Sequence, residues 1–119
     1  MIKILVVDDE SEIVDQIKEY LDDEGFQVFT AETGQEGIEI GKREMPNLLI
    51  LDMKLPDMPG ILVLKTLKEI HPKMKVITIT GYIDQAMFDQ AEELGRDTFI
   101  QKPFDLETLR KEVAKLVNF

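Results

Sequence analysis

Cysteine and tryptophan are absent from the chain, and His71 is its one histidine. Without cysteine there can be no disulfide framework and no thiolate metal site; thiol redox chemistry is excluded, and a reducing cytoplasm is the expected compartment. A lone imidazole beside Pro72, near an expected helix end, builds no zinc or copper centre and is read as a surface residue without a role. Long apolar runs are missing too, since none approaches the roughly 20 residues that a membrane-spanning helix needs. The stretch Met1-Ile2-Lys3-Ile4-Leu5-Val6-Val7 runs into Asp8-Asp9-Glu10 without a small-residue cleavage site, so it reads as a buried strand and not as a secretory signal. Positive charge is scarce: 14 Lys and Arg face 24 Asp and Glu, a net charge of -10. Phosphate backbones attract clustered cations, so no direct nucleic-acid partner is expected, and no membrane partner either.

What remains is the composition of one globular domain, spanning 1–119, with 44% hydrophobic and 32% charged residues. Clusters of branched apolar residues alternate with amphipathic stretches of helical length, the pattern of an α/β domain with a parallel sheet between helices. Lys3 to Val7 reads as the first strand, and the helix after it carries Ile13, Ile17, Tyr20 and Leu21 until Gly25 stops it. A strand over Gln27 to Ala31 precedes a helix opened by Thr33-Gly34-Gln35-Glu36, a capping box, and closed before Pro46. Leu48-Leu49-Ile50-Leu51 is apolar throughout, as a central strand should be, and ends at Asp52. A turn with Pro56, Pro59 and Gly60 leads to a helix bearing Leu64, Leu67 and Ile70. Val76 to Thr80 is the fourth strand, Ala86 to Leu94 a helix closed by Gly95, and Thr98 to Gln101 the fifth strand. Asp105 is the expected N-cap of a last helix with Leu106, Leu109, Val113 and Leu116 on its inner side.

Right-handed crossovers make the strands parallel, so their carboxyl ends form one rim, and open sheets of this kind bind ligands in the crevice beside that rim. Asp8 and Asp9 follow the first strand, Asp52 ends the third, Thr80 the fourth, and Lys102 follows the fifth. Gathered acids repel one another unless a cation joins them or a proton is taken up. Oxygen donors without imidazole or thiolate favour a hard ion such as Mg²⁺. A carboxylate nucleophile beside a cation and an ammonium is also what phosphoryl transfer asks for, with Asp52 the acceptor, Lys102 flanking the incoming group and the Thr80 hydroxyl donating to one of its oxygens.

The segments KILVVDDE, LLILDMKLPDMPG, VITITG and FIQKPF resemble the ordered motifs of response-regulator receiver domains of two-component signal transduction, across essentially the whole chain. The resemblance implies a flavodoxin-like doubly wound fold in three layers, with five parallel strands in the order 2-1-3-4-5 and five helices. It also implies a phosphorylation-dependent switch, not a turnover enzyme, whose phosphodonor is a histidine kinase or histidine phosphotransfer protein and whose output is an attached domain or a downstream protein. Carried onto this chain, it makes Asp52 the phosphoacceptor and Asp8, Asp9, Asp52 and the Lys54 backbone carbonyl the Mg²⁺ ligands. Thr80 and Phe99 become the switch pair, and Pro103 a structural proline after a cis peptide bond.

Three positions depart from the commonest pattern: Phe99 lacks a tyrosine hydroxyl, Pro59 stands where aspartate is frequent, and Arg96 follows Gly95 where alanine is usual. Other functions fit less of the sequence. A Mg²⁺-dependent phosphatase of this type would carry an acid two residues after its nucleophile, where Lys54 stands. A flavin or nucleotide site would need a Gly, Ser or Thr loop in place of Asp8-Asp9-Glu10. A receiver-shaped adaptor that works without phosphorylation stays open beside the switch.

Overall fold

The structure is a computed structural model and describes residues 1–117, so Asn118 and Phe119, the end of the expected domain span, lie outside the described residues. Its elements alternate without exception: β1 (Lys3–Val7), α1 (Ser11–Asp23), β2 (Gln27–Ala31), α2 (Gly34–Glu44), β3 (Leu48–Asp52), α3 (Gly60–Ile70), β4 (Lys75–Thr80), α4 (Gln85–Glu93), β5 (Thr98–Gln101) and α5 (Leu106–Leu116). The strands are all parallel in the order β2-β1-β3-β4-β5. This is the flavodoxin-like topology that the family resemblance implied. Strand β4 starts one residue earlier than expected because the Lys75 amide reaches the Asn47 carbonyl and extends the ladder.

The period-two alternation of side chains divides each strand between two cores. Ile4, Val6, Ile50, Ile77 and Ile79 face α1 and α5, where Val14, Ile17, Leu21, Leu109 and Val113 meet them. Leu5, Val7, Leu49, Leu51 and Val76 face the opposite helices and pack on Val63, Leu64, Leu67 and Ala91. Every residue of β3 is buried, which is why that strand carries no solvent-facing alternation. Truncating one of these chains, as in Ile50→Ala, costs about 2–5 kcal/mol through lost burial and the cavity left behind.

Helix ends follow the side chains that satisfy them. Thr33 Oγ1 accepts from the Glu36 amide at 3.1 Å, while the returning Glu36 carboxylate reaches the Glu32 amide, one residue before the usual partner in a capping box. Asp105 and Asp84 cap α5 and α4, accepting from the Thr108 and Met87 amides. Gly25 and Gly95 terminate α1 and α4 with φ of 94° and 97°, a region that side chains strain to enter. Tyr20 packs its ring against the core beside α5 and donates its hydroxyl to Glu107. One helix position differs from expectation: Ile70 is exposed, because α3 already buries Val63, Leu64 and Leu67.

Candidate functional site

At the carboxyl ends of the strands, the Lys102 ammonium stands among three acids. Its Nζ lies 3.0 Å from Asp52 Oδ2, 2.8 Å from Asp8 Oδ2 and 2.6 Å from Glu10 Oε1. The contacts to Asp52 and Glu10 are hydrogen bonds, whereas that to Asp8 is a close ion pair without hydrogen-bond alignment, which leaves buried Asp8 Oδ2 otherwise unpartnered. Asp8 Oδ1 accepts from the Glu10 amide and Asp52 Oδ1 from the Lys54 amide, so the backbone fixes one oxygen of each aspartate. Asp8 is fully buried and Asp52 nearly so.

Burial and neighbouring charge together set the titration of these groups. Burial pushes the Asp8 carboxyl above its ordinary value, and the nearby Asp52 charge adds to that, against the pull of Lys102 and the Glu10 amide. Burial also disfavours the Lys102 charge, but its contacts with Asp8, Glu10 and Asp52 overcome it and hold the ammonium above the usual lysine range. The cation that repulsion among the acids demands is therefore present in the chain itself.

Glu10 escaped the sequence reading. Its signal was available: it directly follows the acidic pair and precedes α1 at the N-cap position, yet its side chain caps nothing and is free to reach across to Lys102. The carboxylates that converge within 4.8 Å are those of Asp8, Glu10 and Asp52. Asp9 is exposed and lines the adjoining cleft of about 450 Å³, together with Asp52, Lys54, Thr80 and Lys102.

The loop after β3 is held at both ends. Lys54 pairs with Pro59 in an isolated antiparallel bridge, and the Gly60 amide donates to the Met53 carbonyl at 2.9 Å. A Cβ on Gly60 would lie 2.6 Å from Met53 Cα and 2.7 Å from the Asp52 carbonyl oxygen, so the helix start can press this close to the strand end only as glycine. Asp57, another residue that the sequence reading passed over, accepts from the Gly34 and Gln35 amides at 2.8 and 2.9 Å and so ties the loop to the N-terminus of α2. Those two amides hold its carboxyl below the usual carboxylate range.

The remaining rim residues have partners of their own. The Thr80 hydroxyl donates to the Tyr82 carbonyl at 2.9 Å and accepts from the Tyr82 amide at 3.3 Å, a local turn that occupies it, while the residue lines the same cleft as Asp52. Phe99 is half-buried and meets Phe88 of α4 edge to face. The Lys102–Pro103 peptide bond is cis.

Compared with known proteins, residues 4–114 match the family described as Response regulator receiver domain. The chain belongs to the response-regulator receiver family. As a receiver it is 41% identical over 113 residues to Sporulation initiation phosphotransferase F of Bacillus subtilis strain 168, covering 95% of this chain and 91% of that protein. It is 33% identical over 117 residues to Chemotaxis protein CheY of the same organism, covering 98% of each. A solved CheY-like receiver domain protein from Methanospirillum hungatei JF-1 superposes with a TM-score of 0.94 at 35% identity, covering 97% of this chain and 92% of that one.

The receiver's acidic pocket has the donors that a divalent ion needs. Its donors are carboxylate oxygens alone, with no imidazole or thiolate, and buried Asp8 Oδ2 lacks a hydrogen bond. Such a set suits a hard cation of the Mg²⁺ kind.

Proposed function

We propose that this receiver is a phosphorylation-dependent signalling switch that accepts a phosphoryl group on Asp52 in the presence of Mg²⁺. One observation carries the reading: Lys102 Nζ lies 3.0 Å from Asp52 Oδ2 at the edge of an open cleft. An Asp52 oxygen attacks the phosphorus of a phosphohistidine presented by a histidine kinase or histidine phosphotransfer protein. The new O–P bond forms as the P–N bond breaks, and the imidazole leaves with the electron pair and takes up a proton. A carboxylate nucleophile needs no base, so the chain supplies positioning and charge neutralisation. The Lys54 amide orients the other Asp52 oxygen, and Lys102 accompanies the transferred group with its positive charge. Asp8, Asp9, Asp52 and the Lys54 carbonyl would hold Mg²⁺, with Glu10 beside them. When bound, the ion neutralises charge developing on the phosphoryl oxygens.

Once Asp52 is modified, the Thr80 hydroxyl exchanges the Tyr82 carbonyl for a phosphoryl oxygen, and Phe99 turns inward beneath α4. The altered face serves an output domain or a downstream protein. Lys54 occupies the place where a phosphatase would carry its second acid, which supports a switch over a turnover enzyme. Among the described residues no helix is long and apolar enough to cross a membrane, and the cytoplasm, where histidine kinases expose their phosphohistidine, suits the reading. Incubation with Mg²⁺ and acetyl phosphate, followed by intact-mass measurement, tests it. A single phosphate adduct that Asp52→Asn abolishes supports the switch; its absence from the unaltered protein overturns it.

A further inference from the structure

Arg96, the residue that breaks the family's usual pattern after Gly95, takes a defined place. Its side chain is only 6% exposed, and its guanidinium carbon sits 4.1 Å over the centroid of the Phe88 ring on α4 and 5.9 Å from that of Phe99 on β5. The two rings meet edge to face at 5.2 Å. Other compensation for this cation is slight: Nη1 donates to the Phe88 carbonyl at 3.4 Å, and Nη2 is 3.8 Å from the exposed Glu92 carboxylate. A nearly buried charge that rests on aromatic faces gains more from them than an exposed one does.

The helix it touches is lightly attached. Ala91 is the buried residue of α4, and behind it lies a cavity of about 20 Å³ bordered by Thr78, Thr80, Met87, Phe88, Arg96 and Phe99. A cavity that takes up a benzene-sized ring measures on the order of 150 Å³. Phe99 therefore has no room to turn inward unless α4 shifts, and the Arg96 guanidinium lies against both the Phe88 ring of that helix and the Phe99 ring of β5.

We propose that Arg96 is a positioning residue, a cationic clasp that fixes α4 against β5 and sets how readily this face rearranges. Its link to signalling rests on the reading of Asp52 as phosphoacceptor, but the clasp itself is a property of the resting protein. Amide hydrogen exchange over 85–93 and the Phe99 ring signals are measured by NMR on the full chain without phosphodonor. The comparison covers the unaltered protein, Arg96→Ala, Arg96→Lys, Phe88→Leu and the double variant Phe88→Leu with Arg96→Ala. Loss of a desolvated cation–π contact speeds α4 exchange roughly tenfold or more in Arg96→Ala, with α1 and α5 unchanged and the Phe99 signals displaced. Arg96→Lys falls between, and in the Phe88→Leu background the alanine adds little. The proposal is overturned if α4 exchange does not change, if all helices accelerate alike with Phe99 unmoved, or if alanine acts equally with and without the Phe88 ring. Should Arg96→Ala fail to fold, Arg96→Lys with and without Phe88→Leu decides by the same criterion. A second set with Mg²⁺ and acetyl phosphate expects Arg96→Ala to complete the Phe99 displacement at a lower modified fraction. If no adduct forms there, the phosphoacceptor reading fails while the resting measurements still judge the clasp.

Discussion

Lys102 Nζ is 3.0 Å from Asp52 Oδ2, though fifty residues separate the two in the chain. The same ammonium touches Asp8 and Glu10, which lie at the other end of the sequence. It is the counter-charge that lets these acids share one end of the sheet.

Removing that counter-charge exposes the repulsion. Lys102→Ala is expected to cost about 3 kcal/mol of stability at neutral pH in metal-free buffer, because it leaves buried carboxylates uncompensated. Added Mg²⁺ restores part of the loss. Urea denaturation with chelator and then with Mg²⁺ checks both halves, and equal stability of the variant and parent in chelator would contradict them.

The loop after Asp52 depends on Asp57. Asp57→Ala frees two amides at the start of α2 and should lower stability by about 1–2 kcal/mol. Because the same loop carries the Lys54 carbonyl, Mg²⁺ affinity should fall as well. Calorimetric titration with Mg²⁺ measures it, and an unchanged affinity would mean that the loop holds its shape without this tie.

Gly60→Ala forces a Cβ against Met53 Cα and the Asp52 carbonyl, both backbone atoms that cannot swing aside. We expect a loss of about 2 kcal/mol, with the largest amide shifts at Met53 and Lys54. Small, scattered shifts would show that the helix start yields instead.

Much of this was legible in the sequence, and the reason differs between fold and site. Strands such as Leu48 to Leu51 announce themselves because burial on both faces demands unbroken apolar runs, and Thr33 and Asp105 because helix ends need side-chain acceptors. The meeting of Asp8, Asp52 and Lys102 follows from parallel strands sharing one rim. Glu10 beside the acidic pair and Arg96 after Gly95 stand out in the sequence, but the contacts that they and Asp57 make were not legible in the same way. Their positions depend on where a flexible side chain swings after the backbone is set, and neither periodicity nor spacing encodes that. The Thr80 hydroxyl is a similar case, since its bond to Tyr82 depends on the loop after β4.

A surface cluster gives a test by pH. Arg110 and then Tyr20 hold Glu107 at a pKa of about 2 against an ordinary 4.5. A folded-state value below the unfolded one stabilises the fold above the unfolded pKa, and that stabilisation fades as pH drops from about 4.5 through about 2. Conversely, its hydrogen bond to Glu107 raises the Tyr20 phenol above its ordinary value. Ultraviolet titration of Glu107→Gln should show one tyrosine midpoint moving down; two unchanged midpoints would show that the contact is lost in solution.

The most direct test of the account is to locate the modification chemically. After treatment with Mg²⁺ and acetyl phosphate, borohydride reduces an acyl phosphate to an alcohol, and peptide mass mapping then reads which carboxylate carried it. The account predicts homoserine at position 52 and nowhere else. Reduction at position 8, 9 or 10 instead, or at no position in protein shown to bind Mg²⁺, would contradict it.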